Sequence, residues 1–463
     1  MQVPHTQREA PFRNGKSHLL PAAAVKPRRA YFYIPVRGKL AVTLMISSVW
    51  VTLSVILALP WIADLSHLVP LPLAIAAITL IAFFPGAMNA FVVTSLALDR
   101  RPVRRPPETY PAISVLVAAY NEEAAIATTI TNIMDAAYPG EFEVIVIDDG
   151  STDATLARLD AVAGGFDNLH VVRAQHGGKA KALNAGLDVA RHELIVTIDA
   201  DTFLHDDALT RLVERYISDP VGTVAVAGTV FVRNSRDGFL AKAQEWDYFH
   251  GIAAVKRAQS LYQGTLVAQG AFSIYSKTAL RNVGGWPDTV GEDIVMTWAL
   301  LKNGCRVGYA EDAIAFTNVP TTYGAFFQQR RRWARGLIEA FRRHPQILTR
   351  PRLNTPFVYW NLLFPVLDVV YLFVFVPGVI AALFGHFDIA GPATIAVLPL
   401  ALLINFVMYR TQRPMFSSQG LLVRRNFVGF LWYTLLYCIL LQPATIAGYF
   451  SEILGLRKTW GTK

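Results

Sequence analysis

Cysteine is nearly absent from this chain, which has two, Cys305 and Cys438, among 463 residues. Two thiols exclude a disulfide framework and a Cys/His metal site, and we expect both to be packed side chains. Charged residues are also scarce at 17%, whereas hydrophobic residues make up 53%. This balance is more apolar than that of an ordinary soluble domain, so the apolar residues must have another place to be buried.

Two familiar phosphate-binding signatures are missing as well. No Gly-x-Gly-x-x-Gly follows the first predicted strand of the central region, which disfavours a dinucleotide-binding site. No Gly-x-x-x-x-Gly-Lys-Ser/Thr occurs, which disfavours a P-loop nucleotide hydrolase. A phosphate-bearing ligand would therefore need a different kind of site.

Long uncharged runs predict membrane-spanning helices. Each of the following runs exceeds the roughly 20 residues that a helix needs to cross a bilayer: Leu40–Ala63, Leu71–Leu98, Phe357–Phe384 (interrupted by Asp368), Ile389–Tyr409 and Asn426–Phe450. We predict two transmembrane helices at 40–98 and a C-terminal transmembrane region at 355–455. The first run is too long for a signal-peptide core and lacks a cleavage site, so we expect it to be retained.

The net charge of +9 is concentrated at the predicted membrane boundaries. The segment 1–39 carries one acid, Glu9, against Arg8, Arg13, Lys16, Lys26, Arg28, Arg29, Arg37 and Lys39. Arg100, Arg101, Arg104 and Arg105 follow the second run, and the loop Asp64–Pro70 has neither Lys nor Arg. The positive-inside rule therefore predicts a multi-pass protein of the inner (plasma) membrane, with a cytoplasmic N-terminal segment and central domain. Membrane lipid, and not nucleic acid, is the expected partner of these charges.

The side of the C-terminus is left open by the sequence. Three C-terminal crossings would put the basic tail 456–463 outside, whereas its charge predicts the inside. A break at Pro443, with the chain returning as a hairpin or a surface helix, is one way to reconcile the two.

Residues 99–322 have the composition of a soluble α/β domain. Strands are predicted at Ile113–Ala118, Glu143–Asp148, His170–Arg173 and Glu193–Asp199, and helices at Glu122–Ala136, Asp153–Val162 and Lys179–Ala190. This alternation predicts a mostly parallel, doubly wound sheet. Residues 323–354 are predicted to form amphipathic helices at the membrane interface.

Asp199 and Asp201 follow the buried-strand pattern of Ile195–Ile198. Ligands bind at the carboxyl ends of parallel strands, and alternate residues of an extended segment face the same way. Two carboxylates in this arrangement suit Mg²⁺ or Mn²⁺, which takes its other ligands from water and substrate phosphates. The alternative is a polar turn without a ligand.

Further polar side chains follow the other predicted strands. Tyr120 and Glu122 come after the first strand, and Asp149, after the second, can accept a hydrogen bond from an N–H donor such as uracil. Ser151 and Asp153 in the same segment can equally cap a helix. Lys179 follows two glycines at the start of a helix, a pattern typical of an anion site suited to a diphosphate.

Two more motifs lie in the second half. Glu292 and Asp293 begin an amphipathic helix, and Asp293 is the candidate general base for transfer to a hydroxyl group. Gln329, Arg332 and Trp333 lie in an arginine-rich stretch suited to a sugar ring and a phosphate. The alternative for the flanking arginines is contact with anionic lipid; this concerns Arg330, Arg335, Arg342 and Arg343.

Together these motifs resemble those of the processive, membrane-integrated family 2 glycosyltransferases, which include cellulose, hyaluronan, chitin-oligosaccharide and poly-N-acetylglucosamine synthases. The resemblance covers roughly residues 95–350 and follows the family order of D-D-G, G-K-A, D-x-D, E-D and Q-x-x-R-W motifs. The stretches Ala268–Tyr275 and Leu280–Trp286 are most similar to poly-β-1,6-N-acetylglucosamine synthases. Gly291 stands where many relatives have Thr, a departure that we expect not to matter.

The resemblance implies a GT-A fold and a role for each motif residue. Tyr120, Glu122 and Asp149 would hold uridine, Lys179 the diphosphate, Asp199 the nucleotide and the metal, Asp201 the Mg²⁺ or Mn²⁺ ion as its main ligand, Asp293 the acceptor proton, and Gln329, Arg332 and Trp333 the diphosphate and the acceptor end. The implied activity is processive, inverting transfer from a UDP-sugar, with UDP-N-acetylglucosamine as the best guess, to a growing and exported polysaccharide.

Other interpretations stay open at this point. They are a hyaluronan-, chitin- or cellulose-type or other β-glucan synthase, a non-processive transferase acting on a lipid carrier, and a transporter or structural membrane protein with a degenerate transferase domain. Asp368 is expected either to line a polymer channel or to make a structural pair. Trp360, Tyr371, Trp432 and Tyr433 either stack on sugars or form an interfacial belt, which we favour for Trp360 and Trp432. Control by a cyclic dinucleotide would need a separate small membrane subunit.

Overall fold

The computed structural model describes residues 34–100, 104, 106–391, 402–411, 413 and 426–457. Most of the basic segment 1–39 lies outside the described residues. The same holds for Arg101, Arg105, part of the run Ile389–Tyr409, and Lys458 and Lys463 of the tail.

Within the described residues, eight strands form one sheet in the order β3-β2-β1-β4-β7-β6-β8-β5. The strands are β1 Ile113–Ala119, β2 Phe142–Asp148, β3 Leu169–Arg173, β4 Leu194–Asp199, β5 Phe203–Leu204, β6 Thr223–Val232, β7 Phe272–Ser276 and β8 Arg306–Thr317. Strands β1 to β4 pair in parallel, which confirms the predicted doubly wound half of the sheet. Strand β7 runs antiparallel to both β4 and β6, whereas β6 and β8 are parallel.

The parallel half is buried on both faces, as its continuous apolar strands require. Side chains on both faces of β1, including Val115, Leu116 and Val117, are fully buried. In the register of the sheet Ala119 lies beside Asp148, and Ala118 beside Asp199. The carboxyl ends of β1, β2 and β4 therefore meet at one edge, where the predicted site residues follow.

Helices connect and cover the strands of this domain. They are α3 Ile126–Met134, α4 Thr155–Ala163, α5 Lys179–Val189, α6 Ala208–Ser218, α7 Phe239–Trp246, α8 Val255–Leu261, α9 Lys277–Asn282, α10 Glu292–Lys302 and α11 Tyr323–Arg343. A π-helical segment, Asp247–Ala254, joins α7 to α8. Helix α3 begins later than the predicted Glu122, because the preceding residues form a loop that is hydrogen-bonded to the end of β2.

Among the described residues, three helices are long and apolar enough to cross a membrane. They are α1 Val36–Ser66, α2 Leu71–Leu98 and α12 Thr355–Leu383, and α1 precedes and α12 follows the helices listed above. Residues 402–411 form a further helical segment, α13. Helices α14 Phe427–Leu435 and α15 Tyr437–Ile453 make a pair bent by 52°. This break falls at Leu436, and Pro443 lies inside α15, so the proposed break at Pro443 is wrong.

Two arginines of helix α11 form buried ion pairs with other segments of the chain. For these two residues, the predicted contact with lipid is wrong. Arg330 and Arg335 are each 4% exposed. Arg330 pairs with Asp247 at 2.9 Å, and Arg335 pairs with Glu452 of α15 at 3.2 Å. Buried, paired guanidinium groups are not available to lipid headgroups, whereas Arg342 and Arg343 remain exposed.

Candidate active site

A cavity of about 620 Å³ lies where the carboxyl end of β4 meets α10, α11 and the apolar helices. It is lined by seven of the predicted site residues: Lys179, Asp199, Asp201, Asp293, Gln329, Arg332 and Trp333. Tyr120, Glu122 and Asp149 lie outside its lining, in the neighbouring loops. The structure therefore brings the second-half motifs to the D-x-D motif, and it keeps the expected uridine residues in a separate group.

The loops after β1 and β2 are joined by reciprocal hydrogen bonds. The Asn121 N–H donates to Ser151 Oγ at 3.0 Å, and the Thr152 N–H donates to Asn121 Oδ1 at 2.8 Å. The Glu122 N–H donates to Thr155 Oγ1 at 2.7 Å. These bonds satisfy backbone N–H groups of both segments, and they give the two loops a fixed relative position.

Asp149 anchors the loop that precedes α5. Its Oδ1 and Oδ2 accept from the N–H groups of Gly177 and Gly178, each at 2.9 Å. Gly178 has φ +91°, a conformation that L side chains rarely adopt. The Asp149 side chain is buried, so in this conformation its bonds go to the loop, and the two glycine N–H groups are not directed at a diphosphate.

His176 connects Tyr120 to the same loop. The two rings are stacked, with centroids 4.2 Å apart and planes at 26°. The His176 Nδ1 lies 3.0 Å from Asp149 Oδ2. The stacked rings of Tyr120 and His176 hold each other in one orientation and present an apolar surface beside the loop. This arrangement supports a role for the two rings in contacting a base or a sugar ring.

Lys179 lies beside two carboxylates, those of Asp199 and Glu292. Its Nζ pairs closely with Asp199 Oδ1 and lies 3.7 Å from Glu292 Oε1. Burial lowers the pKa of Lys179, but the charges of Asp199 and Glu292 outweigh burial and raise that pKa overall. The side chain is therefore a permanent cation at the start of α5.

Asp201 occupies the most negative part of the cavity. Burial, followed by the charges of Asp199 and Glu122, raises the pKa of Asp201 to about 6. No Lys, Arg or His in the described part of the chain forms an ion pair with it. A half-buried carboxylate crowded by other carboxylates fits a cation as its missing partner.

Helix α10 presents two acids of different character. Glu292 is 7% exposed, and burial raises its pKa, with the charge of Lys179 opposing the shift. Asp293 is half-buried and lines the cavity. The N–H of the preceding Gly291 donates to Glu339 of α11 at 3.0 Å, which ties the start of α10 to the helix that carries Trp333.

The orientation of Trp333 is set by residues that sequence reasoning did not assign. The Arg330 guanidinium lies 4.2 Å from the Trp333 ring centroid. Arg330 in turn pairs with Asp247, whose Oδ2 also accepts from the Tyr437 hydroxyl group at 2.9 Å. Trp333 is 40% exposed and free to contact a ligand. Gln329 Oε1, by contrast, is buried and has no hydrogen-bond partner in the described residues.

Two further cavity residues were also missed. Gln269 donates to the Gly228 carbonyl oxygen at 2.6 Å and keeps its own Oε1 unpaired among the described residues. Lys256 of α8 lines the cavity and is only 9% exposed. Gln269 lies in the stretch Ala268–Tyr275 that carries the family resemblance, but no role was assigned to it, and Lys256 stands in no recognisable motif. Only the fold brings α8 and the loop before β7 to this cavity.

The apolar helices contribute to the cavity as well. Trp360 and Tyr433 line it, whereas Tyr371 and Trp432 lie outside its lining. The belt interpretation that we favoured for Trp360 therefore loses its support, and Trp432 packs against Phe239. Asp368 accepts from Thr445 at 2.7 Å and from Tyr449 at 3.0 Å, which supports the structural pair, and it does not line this cavity.

The donor set at Asp199 and Asp201 fits a hard divalent cation. The described residues contain no group of three or more His, Cys, Asp or Glu side chains that could hold a metal by themselves. Mg²⁺ and Mn²⁺ are commonly held by one or two carboxylates together with water and substrate phosphates. The charges of Asp199 and Glu122, which together with burial raise the pKa of Asp201, would also favour a cation at this position.

Comparison with known proteins agrees with this geometry. Residues 114–284 match the family description "Glycosyl transferase family 2". The chain is 35% identical over 236 residues to poly-β-1,6-N-acetyl-D-glucosamine synthase of Staphylococcus epidermidis, covering 50% of this chain and 56% of the relative. It is 35% identical over 226 residues to the synthase of the same name from Staphylococcus aureus strain COL, covering 48% and 54%. The chain thus spans about half the length of the curated relatives it matches.

A solved structure has the same fold. It is a mannosyltransferase from Pyrobaculum calidifontis in complex with GDP-mannose and Mn²⁺, with a TM-score of 0.58 and 23% identity. The match covers 82% of this chain and 98% of that structure. The central domain accordingly has a GT-A-like glycosyltransferase fold, and its residues 114–284 are similar to glycosyl transferase family 2.

Proposed function

We propose that this family 2 glycosyltransferase domain belongs to a processive polymerase, which transfers a sugar from a UDP-sugar to a growing polysaccharide in the membrane. The best candidate for the donor is UDP-N-acetylglucosamine, because the curated relatives are named for a polymer of that sugar. The product would be an exported polysaccharide of β-linked sugars.

The observation that carries this proposal is the shared cavity. Acidic, basic and aromatic side chains from four separate segments line it, and so do residues of the apolar helices α2 and α12, such as Asn89 and Trp360. A soluble transferase does not need a reaction site that is partly lined by apolar helices. A polymerase that passes its product into the membrane needs such a site.

Donor binding would use the residues at the carboxyl edge of the sheet. Tyr120, stacked on His176, and Glu122 border the expected uridine position, and Asp149 holds the loop that presents Lys179. Lys179, together with Arg332 in the same cavity, would hold the diphosphate. Two cations beside the leaving group stabilise the negative charge that develops as the donor bond breaks.

Asp199 and Asp201 would hold the Mg²⁺ or Mn²⁺ ion. When bound, the ion supplies neutralisation of the charge on the leaving diphosphate. Asp199 is half-buried, and its negative charge is partly neutralised by the ion pair with Lys179. Asp201 would therefore be the main ligand, because it lacks an ion-pair partner in the described residues.

Transfer itself needs one base. Asp293 would accept the proton of the acceptor hydroxyl group as that oxygen attacks C1 of the donor sugar from the face opposite UDP. The C1–O bond to UDP breaks while the new C1–O bond forms, and the proton stays on Asp293. Configuration inverts in this single displacement. Trp333 and Gln329, which line the same cavity, would hold the acceptor end in line for the attack.

The membrane arrangement is part of the same proposal. We infer a multi-pass protein of the inner membrane, with segments 1–39 and 99–322 in the cytoplasm, spans at 40–98 and 355–455, interface helices at 323–354 and a basic tail at 456–463. Three helices of sufficient length and apolarity support the spans. Contacts with membrane lipid follow from the spans, and a small membrane subunit would be a regulatory partner.

The test is to supply purified protein in lipid vesicles with each labelled UDP-sugar in turn, and to digest the product with linkage-specific glycosidases. We expect long polymer from UDP-N-acetylglucosamine that is cut by a β-1,6-specific enzyme. Polymer made from another UDP-sugar would show that the donor is not UDP-N-acetylglucosamine. A single-sugar glycolipid would contradict processive synthesis, and no UDP release from any donor would contradict a transferase function.

A further inference from the structure

Lys256 is a buried cation that the proposed mechanism does not use. It lies on α8 and is 9% exposed, and it lines the cavity that contains Asp293. Within the described part of the chain, its ammonium group makes no hydrogen bond or ion pair, and burial together with the charge of Asp293 determines its pKa. Buried lysines are normally paired, because a lone charge inside a protein is costly. A ligand that accepts hydrogen bonds from the ammonium group would explain why this lysine is buried without a partner in the protein.

Lys256 lies on the side of the cavity that faces the apolar helices, and not on the side of the expected nucleotide loops. The nucleotide loops with Tyr120 and Asp149 lie outside the lining, whereas α8 packs beside the apolar helix α2. The Tyr262 hydroxyl group just beyond α8 lies 3.0 Å from Ser95 of α2. Lys256 is therefore held where the domain meets the apolar helices, on the side to which a growing chain must extend.

We propose that Lys256 binds the acceptor, donating hydrogen bonds from its ammonium group to hydroxyl or carbonyl oxygens of the terminal sugar. The inference rests on the proposed function and adds a specificity-determining residue to it. An ammonium group donates to neutral sugar oxygens and repels a sugar that carries its own ammonium group. The site therefore accepts N-acetylated, uncharged sugars and disfavours de-N-acetylated ones.

The charges around Lys256 allow this role. Burial lowers the pKa of Lys256 to about 7, and the charge of Asp293 opposes that shift. The other ionisable residues of the cavity are Glu292 of α10, Lys179 of α5, Asp199 and Asp201 at the end of β4, Arg332 of α11, His250 and Tyr248 of the π-helical segment, and Tyr309 and Tyr433. Burial raises the pKa of Tyr248 to about 12, so that side chain stays neutral. Burial lowers the pKa of His250 to about 4, so that side chain is neutral here. Lys256 thus carries its proton below pH 7 and loses it above.

The experiment compares Lys256→Met and Lys256→Arg with the wild-type protein in lipid nanodiscs. The control is Lys277→Met, which removes a lysine that contacts the backbone of Ala190 outside the cavity lining. The probes are UDP-N-acetylglucosamine with a β-linked N-acetylglucosamine tetrasaccharide, and the same tetrasaccharide after de-N-acetylation. Transfer, donor hydrolysis without acceptor, UDP affinity and melting temperature are measured for each protein.

We expect Lys256→Met to raise the acceptor KM about tenfold or more, the effect of losing a charge-assisted hydrogen bond. UDP affinity and donor hydrolysis stay at the wild-type level. The preference for the N-acetylated over the de-N-acetylated acceptor shrinks. The melting temperature does not fall, because the variant removes a buried charge. In the wild type the acceptor KM rises above pH 7, and in Lys256→Arg this rise is absent, because arginine stays charged.

Two results would overturn the assignment while leaving the proposed function intact. One is an unchanged acceptor KM in Lys256→Met, and the other is an equal loss of UDP affinity and hydrolysis, which would put Lys256 on the donor side. A wild-type protein that transfers no sugar under these conditions would contradict the proposed function and, with it, the role of Lys256.

Discussion

Asp293 and Asp201 line the same cavity in different surroundings. Asp201 is surrounded by negative charge that raises its pKa to about 6, whereas Asp293 lies at the start of α10 near the buried Lys256. These environments suit different tasks, because one carboxylate needs a cation and the other can receive a proton. The division of labour between them can be tested one residue at a time.

Asp293→Asn should abolish sugar transfer and leave UDP binding intact, because an amide cannot accept the acceptor proton while the donor residues are unchanged. We expect a rate reduction of about 10²-fold or more, the usual contribution of a general base. The measurement is UDP-sugar turnover together with UDP affinity. Asp288→Asn, an exposed acid in the preceding loop, serves as the control. Wild-type turnover in Asp293→Asn would contradict the assignment.

Binding of Mn²⁺ should weaken as the pH falls through 6. Asp201 has a raised pKa in the metal-free protein and must lose its proton to bind the ion. Below pH 6 the affinity should therefore fall about tenfold for each pH unit. Titration of Mn²⁺ by electron paramagnetic resonance between pH 5 and 8 measures this slope. Unchanged Mn²⁺ affinity in Asp201→Ala would show that the ion binds elsewhere.

At the residue scale, the sequence indicated most of the candidate site residues that the structure brings to one cavity, and it missed the residues that position them. Asp199, Asp201 and Asp293 are recognisable because carboxylates at strand and helix ends have a chemical meaning on their own. Arg330 was partly misassigned to lipid, because its partner Asp247 lies far away in the sequence. Lys256 is part of no motif, and only its burial in the fold distinguishes it.

At the element scale, the contact between α10 and α11 leaves no room for a side chain at Gly291 or Gly336. A Cβ atom at Gly291 would lie 2.4 Å from the Gly336 Cα, and one at Gly336 would lie 2.8 Å from the Gly291 Cα. We expected glycine instead of threonine at position 291 not to matter for function, and this stays a prediction, but the structure shows that the glycine lets α10 approach α11 closely. The two backbones therefore come close together at this point, and Asp293 and Trp333 lie on the two helices that meet there.

Gly336→Ala should displace α11 and reduce both stability and transfer. The new methyl group meets backbone atoms that cannot rotate away, and such overpacking typically costs about 1–3 kcal/mol. Gly324→Ala is the matched control, since it lies on the same helix with nothing within 4 Å of its Cβ position. Melting temperature and turnover are measured for both. Wild-type behaviour of Gly336→Ala would show that the close contact has no functional consequence.

Element types were more predictable than their pairing. Strands β1 to β4 and helix α5 lie within one or two residues of their predicted bounds, because apolar runs and a glycine-rich helix start are local signals. The antiparallel placement of β7 depends on contacts with β4 and β6, which no local pattern records. The bend at Leu436 was likewise missed, because Pro443 was the stronger local signal.

At the scale of the whole molecule, the orientation in the membrane follows from charge alone and needs a direct test. Single cysteines at Val221, which is 98% exposed in the central domain, and at Leu68, 62% exposed after α1, make a matched pair. An impermeant maleimide should label Leu68→Cys in intact cells. If the domain is cytoplasmic, as we propose, it should label Val221→Cys only after the membrane is permeabilised. The wild-type protein, with Cys305 and Cys438, gives the background, and the reverse pattern would invert the topology.

The central claim is that one cavity beside the membrane holds a metal-bound sugar nucleotide together with its acceptor. A cryo-electron microscopy structure of the protein in lipid nanodiscs with UDP and Mn²⁺ tests it most directly. We predict density for the ion next to Asp201, for the diphosphate beside Lys179, and for the uracil ring near Tyr120. Nucleotide bound at another surface, with the cavity between Asp201 and Trp333 filled only by solvent, would contradict the account.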